Sequence, residues 1–360
     1  MKSYQTITID GRCFTGVHNG YTVFTEWVIG VVRGSGYSVE VISNQTIKKT
    51  EYPELYHVEC LTFGSKKATI WEQRDLPLYL YRTKPKLHIC GLNLGLPLLY
   101  FGKTKLILGV LDMIPQRFSS HYIKSWKDKL HFLWLQRLNI LKANRILTIS
   151  DASKRDITKF MKGKKIRRVY IRRKRISKKL EKTESNINKA RFLYIGGIDF
   201  RKRVDILCLA FEQFLLQNPR AELRLVGSGY EKIIRATKIQ KKTRQQIIEL
   251  GRITDKELEA EIRRASAIVF PSLYEGYGLP IAESLMAGRP VICGTGGSQK
   301  EVGGSIAQYV DPLDPESVFH GLVDIFNTDY MRKFHSGLKE RQDFISSEEH
   351  DYQLLEALGL

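Results

Sequence analysis

Residues 270–283 read FPSLYEGYGLPIAE, an apolar strand end followed by a glycine-rich loop and the start of a helix. Pro280 suits the first turn of that helix, where a backbone N–H would have no partner in any case. The loop should therefore lie at the carboxyl edge of a parallel sheet, where open α/β sheets bind ligands. The amides of Gly278 and Leu279 would point at a bound group beside the positive end of the helix dipole, which predicts a phosphate site.

The two glutamates of this segment, Glu275 and Glu283, are predicted to act on one ligand. Glu283, one turn into the helix, can accept hydrogen bonds from a ribose diol, as acids do in dinucleotide sites. Glu275, in the loop, would face the group beyond the phosphates. For either residue taken alone the simpler interpretation is favoured, in which Glu275 is a solvated loop residue and Glu283 complements the helix dipole.

Strand-like and helix-like runs alternate along the whole chain, which is typical of α/β proteins with doubly wound parallel sheets. A length of 360 residues favours two domains. We expect a first domain over 1–185, a second over 186–330, and C-terminal helices over 331–360 that pack back on the first. The polar segment 177–189 is the expected junction. The predicted strands are 7–10, 38–43, 87–90, 105–112 and 145–150 in the first domain, and 192–195, 222–226, 267–271 and 290–293 in the second.

A long helix is predicted over about 120–142. Its apolar residues follow helical spacing and are interpreted as a face packed into the core. These residues are Trp126, Leu130, Leu133, Leu138 and Leu141.

The charge of the chain is strongly basic, with 58 Lys and Arg against 38 Asp and Glu, a net charge of +20. Twelve of the basic residues lie between Lys159 and Lys179, a block without acids. Such a block is often only a solvated surface, but an anionic membrane is a fitting partner for it. Nucleic acid is a poorer partner because few aromatic residues interrupt the block.

The cysteines and the apolar runs indicate the compartment. Five cysteines without paired or metal-like spacing argue against a disulfide framework. No run approaches the roughly 18 apolar residues of a membrane span. We expect a cytoplasmic protein, or one bound peripherally at the inner face of the cell membrane.

The motifs together resemble the retaining glycosyltransferases of family 4, whose GT-B fold consists of two Rossmann-like domains facing each other across a cleft. The Glu275 to Glu283 spacing matches the family's pair of acids with seven residues between them, and residues 194–205, YIGGIDFRKRVD, match its strand, glycine turn and Arg-Lys pair. The resemblance implies a nucleotide-diphosphate sugar, UDP- or GDP-linked, as co-substrate and no other cofactor. It covers residues 190–318 closely and the first half loosely.

The resemblance also implies roles for single residues. Arg201 and Lys202 would clamp the donor diphosphate, and the backbone near Ile253 would hold the base. The residues implied to bind the donor are Gly20, Gly197, Arg201, Lys202, Gly227, Ile253, Glu275, Gly278, Leu279 and Glu283, and those implied in catalysis are Glu275, Lys202, Arg201 and Asp112.

The sequence departs from the family pattern at Leu111, where these enzymes usually have a histidine that contacts the donor sugar. This departure leaves open a nucleotide-sugar-binding protein without turnover. A sugar-nucleotide epimerase of the same architecture would need acid and base groups, for which Asp112 and His88 are the candidates. The chain contains no Asp-x-Asp motif, so we expect transfer without a metal ion.

Overall fold

The computed structural model describes residues 6–16, 18–163, 165–173 and 190–360. The chain forms two compact units. The first extends to Arg172 and includes Glu348–Leu360, and the second is Arg173–Ser347. The expected junction at 177–189 lies outside the described residues.

The first unit is built on a parallel sheet with the strand order β3-β2-β1-β4-β5-β6-β7. The interior strand β1 is buried at every residue because helices cover both faces of such sheets. The strands are β1 (Ile7–Asp10), β2 (Val39–Ser43), β3 (Glu59–Thr62), β4 (Leu87–Cys90), β5 (Lys105–Gly109), β6 (Arg145–Thr148) and β7 (Ile166–Arg168).

The helices of the first unit connect these parallel strands. Gly20–Gly34 begins with a capping box in which the Asn19 side chain accepts from the backbone of Tyr21 and Thr22. The other main helices are Leu76–Thr83, Ile114–Arg117, Ser119–Tyr122, Trp126–Lys129, Gln136–Lys142, Asp151–Phe160 and Glu349–Leu358, with π-helical turns at Trp71–Asp75 and Leu130–Leu135.

The interpretation of the 120–142 stripe as a core face was wrong. The helical segment that runs from Trp126 to Lys142 exposes Trp126, Leu130, Leu138 and Leu141. Its buried positions include Gln136 and Asn139 instead. Helical spacing identified one face of the helix but not which face packs inward.

The C-terminal helices divide between the units. Thr328–Ile345 belongs to the second unit, whereas Glu349–Leu358 belongs to the first. In the first unit the Trp27 indole donates to Asp351 at 2.7 Å, and Arg145 donates to the carbonyl of Ala357 at 2.9 Å. The last helix is therefore part of the first unit's fold.

The second unit has a parallel sheet with the order β10-β9-β8-β11-β12-β13. Its strands are β8 (Arg191–Ile195), β9 (Glu222–Val226), β10 (Ile247–Gly251), β11 (Ala267–Phe270), β12 (Val291–Cys293) and β13 (Gln308–Tyr309). Its helices are Val204–Gln217, Tyr230–Ala236, Lys241–Gln245, Asp255–Arg264, Leu279–Met286, Gln299–Gly303, Pro315–Asp324 and Thr328–Ile345, preceded by the 3-10 turn Phe200–Lys202.

In the described part of the chain, no helix is both long and apolar enough to cross a bilayer. All five cysteines are free thiols.

Candidate functional site

The loop after β8 is held by two buried tyrosines. The Tyr194 hydroxyl donates to the carbonyl of Gly197 at 2.9 Å, and the Tyr230 hydroxyl donates to the carbonyls of Gly196 and of Val226, the latter at 2.7 Å. Burial raises the pKa of both phenols, so both remain protonated donors. The loop is thereby fixed above the carboxyl edge of the sheet.

Gly227, at the end of β9, allows this loop to approach. Its φ is +132°, and a Cβ there would lie 2.1 Å from the carbonyl oxygen of Gly196. Its N–H donates to Gly251 at 2.8 Å, which links β9 to the end of β10. Ile253 follows in the turn before the Asp255–Arg264 helix and is half-buried. That helix begins with a capping box formed by Thr254 and Glu257.

Arg201 lies in the 3-10 turn and binds the 272–275 loop. The Asp199 carboxylate caps the turn by accepting from the Arg201 N–H at 3.1 Å. The Arg201 guanidinium donates to the Glu275 carboxylate at 2.5 Å and to the Tyr274 carbonyl at 2.7 Å. Arg201 thus holds the side chain and the backbone of the loop together.

Lys202 has a different environment. Its Nζ lies 5.5 Å from the centre of the Phe270 ring and close to Gly196, since a Cβ on that glycine would be 2.7 Å from it. Burial lowers the pKa of the ammonium group, although Glu275 opposes this shift. Among the described residues, none accepts a hydrogen bond from this ammonium or forms an ion pair with it. A half-buried cation that no protein carboxylate contacts directly favours a ligand that supplies an anion.

Glu275 has one engaged and one available carboxylate oxygen. Its Oε1 accepts from Arg201 and from the buried Ser272 hydroxyl at 2.7 Å. Its Oε2 accepts no hydrogen bond from the described part of the chain and is not among the fully buried atoms that lack partners. The Oε2 atom of Glu275 can therefore accept a hydrogen bond from a ligand hydroxyl while Oε1 keeps its two protein donors.

The glycine-rich loop 294–297 supports Glu275 from behind. A Cβ on Gly296 would lie 1.9 Å from the Leu273 carbonyl oxygen, and one on Gly297 would lie 2.1 Å from that of Glu275. Ser298 adds backbone and hydroxyl donors to the Glu275 carbonyl, each at 3.1 Å. This loop packs directly on the backbone that carries the predicted acid.

The helix Leu279–Met286 follows Gly278, its N-cap residue, and has Pro280 in its first turn as expected. The N–H groups of Gly278 and Leu279 have no acceptor among the described residues and remain available at the helix N-terminus. Glu283, on the second turn, accepts from the Arg173 guanidinium at 3.0 Å. The first residue of the second unit therefore contacts the acid that the sequence predicts to bind a ribose.

The site residues predicted in the first unit lie at the carboxyl edge of its own sheet. Gly20 is exposed at the start of its helix. Asp112 follows β5, and its carboxylate accepts from the Ile114 N–H at 3.0 Å. Burial and the charge of Asp112 raise the pKa of Tyr21, the neighbour of Gly20.

The candidate residues Leu111 and His88 are both buried. Leu111 is 3% exposed, its N–H donates to Asn93 at 2.7 Å, and its carbonyl accepts from Ser153 at 2.7 Å. His88 is fully buried in β4, 3.0 Å from the Thr8 hydroxyl, and burial lowers its pKa to about 4. A neutral ring enclosed in the sheet is not positioned as an acid or base for a substrate.

Sequence reasoning did not single out Arg173, Ser272 or Tyr230. Arg173 was counted only as part of the basic block, although its charge is directed at Glu283. Ser272 lies inside the quoted motif, and its position three residues before Glu275 was an available signal. Among the described residues, no cluster of three or more His, Cys, Asp and Glu side chains could hold a metal ion.

Residues 173–307 match the model of the family described as glycosyl transferases group 1. The O-antigen chain mannosyltransferase B of Escherichia coli is 32% identical over 158 residues, 42% of this chain and 41% of that protein. The O-antigen chain mannosyltransferase RfbU of Salmonella typhimurium is 24% identical over 236 residues, 61% of this chain and 64% of that protein. The matches thus span less than two thirds of either relative.

The whole chain resembles solved structures at low sequence identity. Sucrose-phosphate synthase from Thermosynechococcus elongatus superposes with a TM-score of 0.76 at 15% identity, covering 99% of this chain and 98% of that one. Anabaena Alr3699/HepE in complex with UDP and glucose superposes with a TM-score of 0.75 at 15% identity, covering 99% of both chains. The chain therefore has the GT-B fold of two Rossmann-like domains, and residues 173–307 carry the sequence pattern of glycosyl transferases group 1.

Proposed function

We propose that this chain is a retaining glycosyltransferase that moves a sugar from a nucleotide-diphosphate donor to a glycan or lipid-linked acceptor without a metal ion. The observation that carries the proposal is the Lys202 ammonium, which is half-buried and has no hydrogen-bond acceptor or ion-pair partner among the described residues. A diphosphate would provide the missing negative charge. Gly197 borders the same loop, and a Cβ there would meet no atom within 4 Å, so this side of the loop is open to a ligand.

The donor diphosphate would lie between Lys202 and the helix that begins at Leu279. Lysine is a point charge suited to phosphate, and the free N–H groups of Gly278 and Leu279 add donors at the positive end of the helix dipole. These groups would stabilise the charge that grows on the leaving diphosphate, as preorganised donors do in other transferases. They would do the work that a metal ion does elsewhere, which supports metal independence.

Glu283 would bind the ribose and Glu275 the sugar. Arg173 orients the Glu283 carboxylate through one oxygen, and a ribose diol would share that carboxylate. The available Oε2 of Glu275 would accept from a sugar hydroxyl, while Arg201 and Ser272 hold Oε1. The observed role of Arg201 is to hold the Glu275 carboxylate in place. Its contact with the donor diphosphate remains a prediction. The roles of Asp112 and Gly20, which lie in the first unit, remain predictions.

The chemical step would break the bond between the anomeric carbon and the diphosphate oxygen and form a bond from that carbon to the acceptor oxygen on the same face. The proton of the acceptor hydroxyl would pass to the departing phosphate oxygen. This order of bond breaking and bond formation needs no covalent intermediate on the enzyme. It is consistent with a site that stabilises the charge on the leaving diphosphate.

The comparisons suggest the classes of donor and product. The HepE structure holds UDP and glucose, whereas two relatives are O-antigen mannosyltransferases. We propose a UDP- or GDP-sugar donor and a role in the synthesis of a cell-surface polysaccharide, lipopolysaccharide or glycolipid, at the cytoplasmic side of the membrane. The base would be read near Ile253.

The experiment that tests the proposal is a thermal-stability screen against UDP- and GDP-sugars, followed by donor hydrolysis and transfer assays. A donor present at a hundred times its dissociation constant should stabilise the chain by about 2.7 kcal/mol. Binding of one donor class with turnover supports the proposal. Binding without hydrolysis or transfer on any acceptor would favour a nucleotide-sugar-binding protein instead.

Membrane association through Lys159–Lys179 remains a proposal. Several basic residues of this block already have partners, since Arg168 lies 3.2 Å from Asp151 and Arg172 lies 2.5 Å from Asp351. Lys164 and the residues from Lys174 to Lys179 lie outside the described residues. The paired arginines are less available to lipid than a solvated block would be.

A further inference from the structure

The helical segment Trp126–Lys142 has its apolar side facing outward. The side chains of Trp126, Leu130, Trp134, Leu138 and Leu141 are 70%, 46%, 60%, 45% and 52% exposed. They are spaced by four, four, four and three residues, and the π-helical turn Leu130–Leu135 keeps a spacing of four on one side. We call this row the Trp126–Leu141 stripe.

The inward side of the same segment is partly polar and firmly bound. Asn139 Oδ1 accepts from the N–H groups of Gly95 and Leu96 at 3.0 and 2.8 Å. The Gln136 amide donates to the Asn93 carbonyl at 2.9 Å. If the helix rotated to bury its leucines, these buried amides would lose their partners at about 1–3 kcal/mol each. The outward position of the stripe is therefore fixed by the packing of the first unit.

Basic side chains surround the stripe. Between residues 124 and 142 there are five Lys and Arg residues and one Asp, so the local charge is 5 − 1 = +4. The only acid, Asp128, is engaged in capping and accepts from the Ser125 hydroxyl at 2.8 Å. Lys142 Nζ lies 4.3 Å from the ring of Phe101, which is itself 81% exposed, so the apolar surface continues past the end of the helix.

This combination matches an anionic bilayer better than a second protein copy. Tryptophan and leucine insert at the boundary between headgroups and acyl chains, and lysine stems extend their charges towards the headgroups. A symmetric dimer through this face would instead place one +4 segment against another within a chain of net charge +20. Scattered exposed leucines are ordinary on protein surfaces, but a continuous row beside basic residues is not.

We propose that the Trp126–Leu141 stripe docks the first unit on an anionic lipid bilayer, with the helix lying in the plane of the surface. The stripe provides apolar insertion, and its basic neighbours provide salt-sensitive attraction. The proposal does not depend on the proposed sugar transfer, because docking is measured without a donor. The Trp126–Leu141 stripe is a different surface from the Lys159–Lys179 block.

The test uses the full chain and sedimentation with vesicles of phosphatidylcholine alone or mixed with phosphatidylglycerol. We expect binding to the mixed vesicles only, reduced by salt. Tryptophan emission should shift to shorter wavelength on binding, because Trp126 and Trp134 are exposed whereas Trp71 is buried. The triple variant Leu130→Gln, Trp134→Gln, Leu138→Gln should lower the partition coefficient at least about tenfold.

The matched control is the double variant Leu216→Gln, Leu313→Gln, which removes leucines of the second unit that are 65% and 59% exposed. It should bind vesicles as the unmodified chain does. Thermal unfolding of both variants close to that of the unmodified chain would show that they fold. Equal binding by the triple variant and the unmodified chain, or an equal loss in the control, would overturn the proposal. A concentration-dependent dimer that the triple variant abolishes, without vesicle binding by the unmodified chain, would also overturn it in favour of self-association.

Discussion

Replacing Lys202 by methionine should change stability and donor affinity in opposite directions. Methionine keeps an unbranched side chain of similar length but removes the charge that lies near Gly196 and Phe270. In the free protein this charge has no anionic partner among the described residues, so its removal should raise the free energy of unfolding by about 1 kcal/mol. For a unit of this size, that gain corresponds to an increase of roughly 2–4 °C in Tm.

The affinity for a nucleotide diphosphate should fall in the same variant. A charge-assisted hydrogen bond contributes about 1.5–3 kcal/mol, so its loss corresponds to a decrease of about tenfold to a hundredfold in affinity. Isothermal titration calorimetry with UDP and GDP measures this change, and scanning calorimetry of the free protein measures the stability. The matched control is Lys256→Met, at an exposed lysine of the Asp255–Arg264 helix.

The pH dependence of stability gives a further check with a defined sign. Burial lowers the pKa of Lys202 from its ordinary value of 10.5, so the unfolded chain binds this proton more tightly than the folded one. The stability cost is fully present below the folded pKa and disappears as the pH rises from the folded pKa to the ordinary value of 10.5. The difference in stability between the variant and the unmodified chain should narrow over that window. A variant that is less stable, or that binds diphosphates with unchanged affinity, would refute the reasoning.

Gly227→Ala should destabilise the second unit by at least about 2 kcal/mol, because the added Cβ meets a backbone carbonyl. Gly197→Ala should fold normally and bind nucleotide more weakly, because its Cβ meets no protein atom. Calorimetry measures both variants, and a fully stable Gly227→Ala variant would contradict the first expectation. Glu283→Ala should weaken nucleotide-sugar binding by about tenfold or more with a small change in Tm, and an unfolded variant would show a structural role instead. Sugar transfer should continue in excess chelator, and loss that magnesium or manganese restores would disprove metal independence. Because the pKa of His88 is about 4 in the fold and 6.5 as a free side chain, the free energy of unfolding should fall by about 3 kcal/mol as the pH drops between these values, and denaturant titrations of His88→Gln should lack this fall.

The sequence predicted the bounds of a strand best where its apolar residues are clearly buried. The strands Ile7–Asp10 and Glu222–Val226 have the predicted bounds, because their apolar residues are buried where the pattern places them. Edge strands were not predicted. Strand β7, Ile166–Arg168, lies within the basic block at the end of its sheet, where a strand needs little apolar pattern.

The candidate site was predictable as a set of residues but not as a set of contacts. The motif order predicts that Arg201, Lys202, Glu275 and Glu283 surround one ligand, and this assignment stays a prediction. It could not show that Arg201 binds Glu275 while Lys202 remains without an anion, since that division depends on how two loops meet. The orientation of the Trp126–Lys142 segment was likewise decided by two buried amides whose partners lie elsewhere in the chain.

The contact between loops 272–275 and 294–297 has a consequence for attempts to change the donor sugar. Any side chain at Gly296 would meet the Leu273 carbonyl, so the two loops cannot be varied independently. A library that randomises positions around Glu275 should keep glycine at 294, 296 and 297. A side chain at any of these positions would displace the backbone of the 272–275 loop, and with it the Glu275 carboxylate. Diversity is better introduced at positions whose side chains have space, such as Gly197, where a new side chain alters the ligand's surroundings and leaves the support of Glu275 intact.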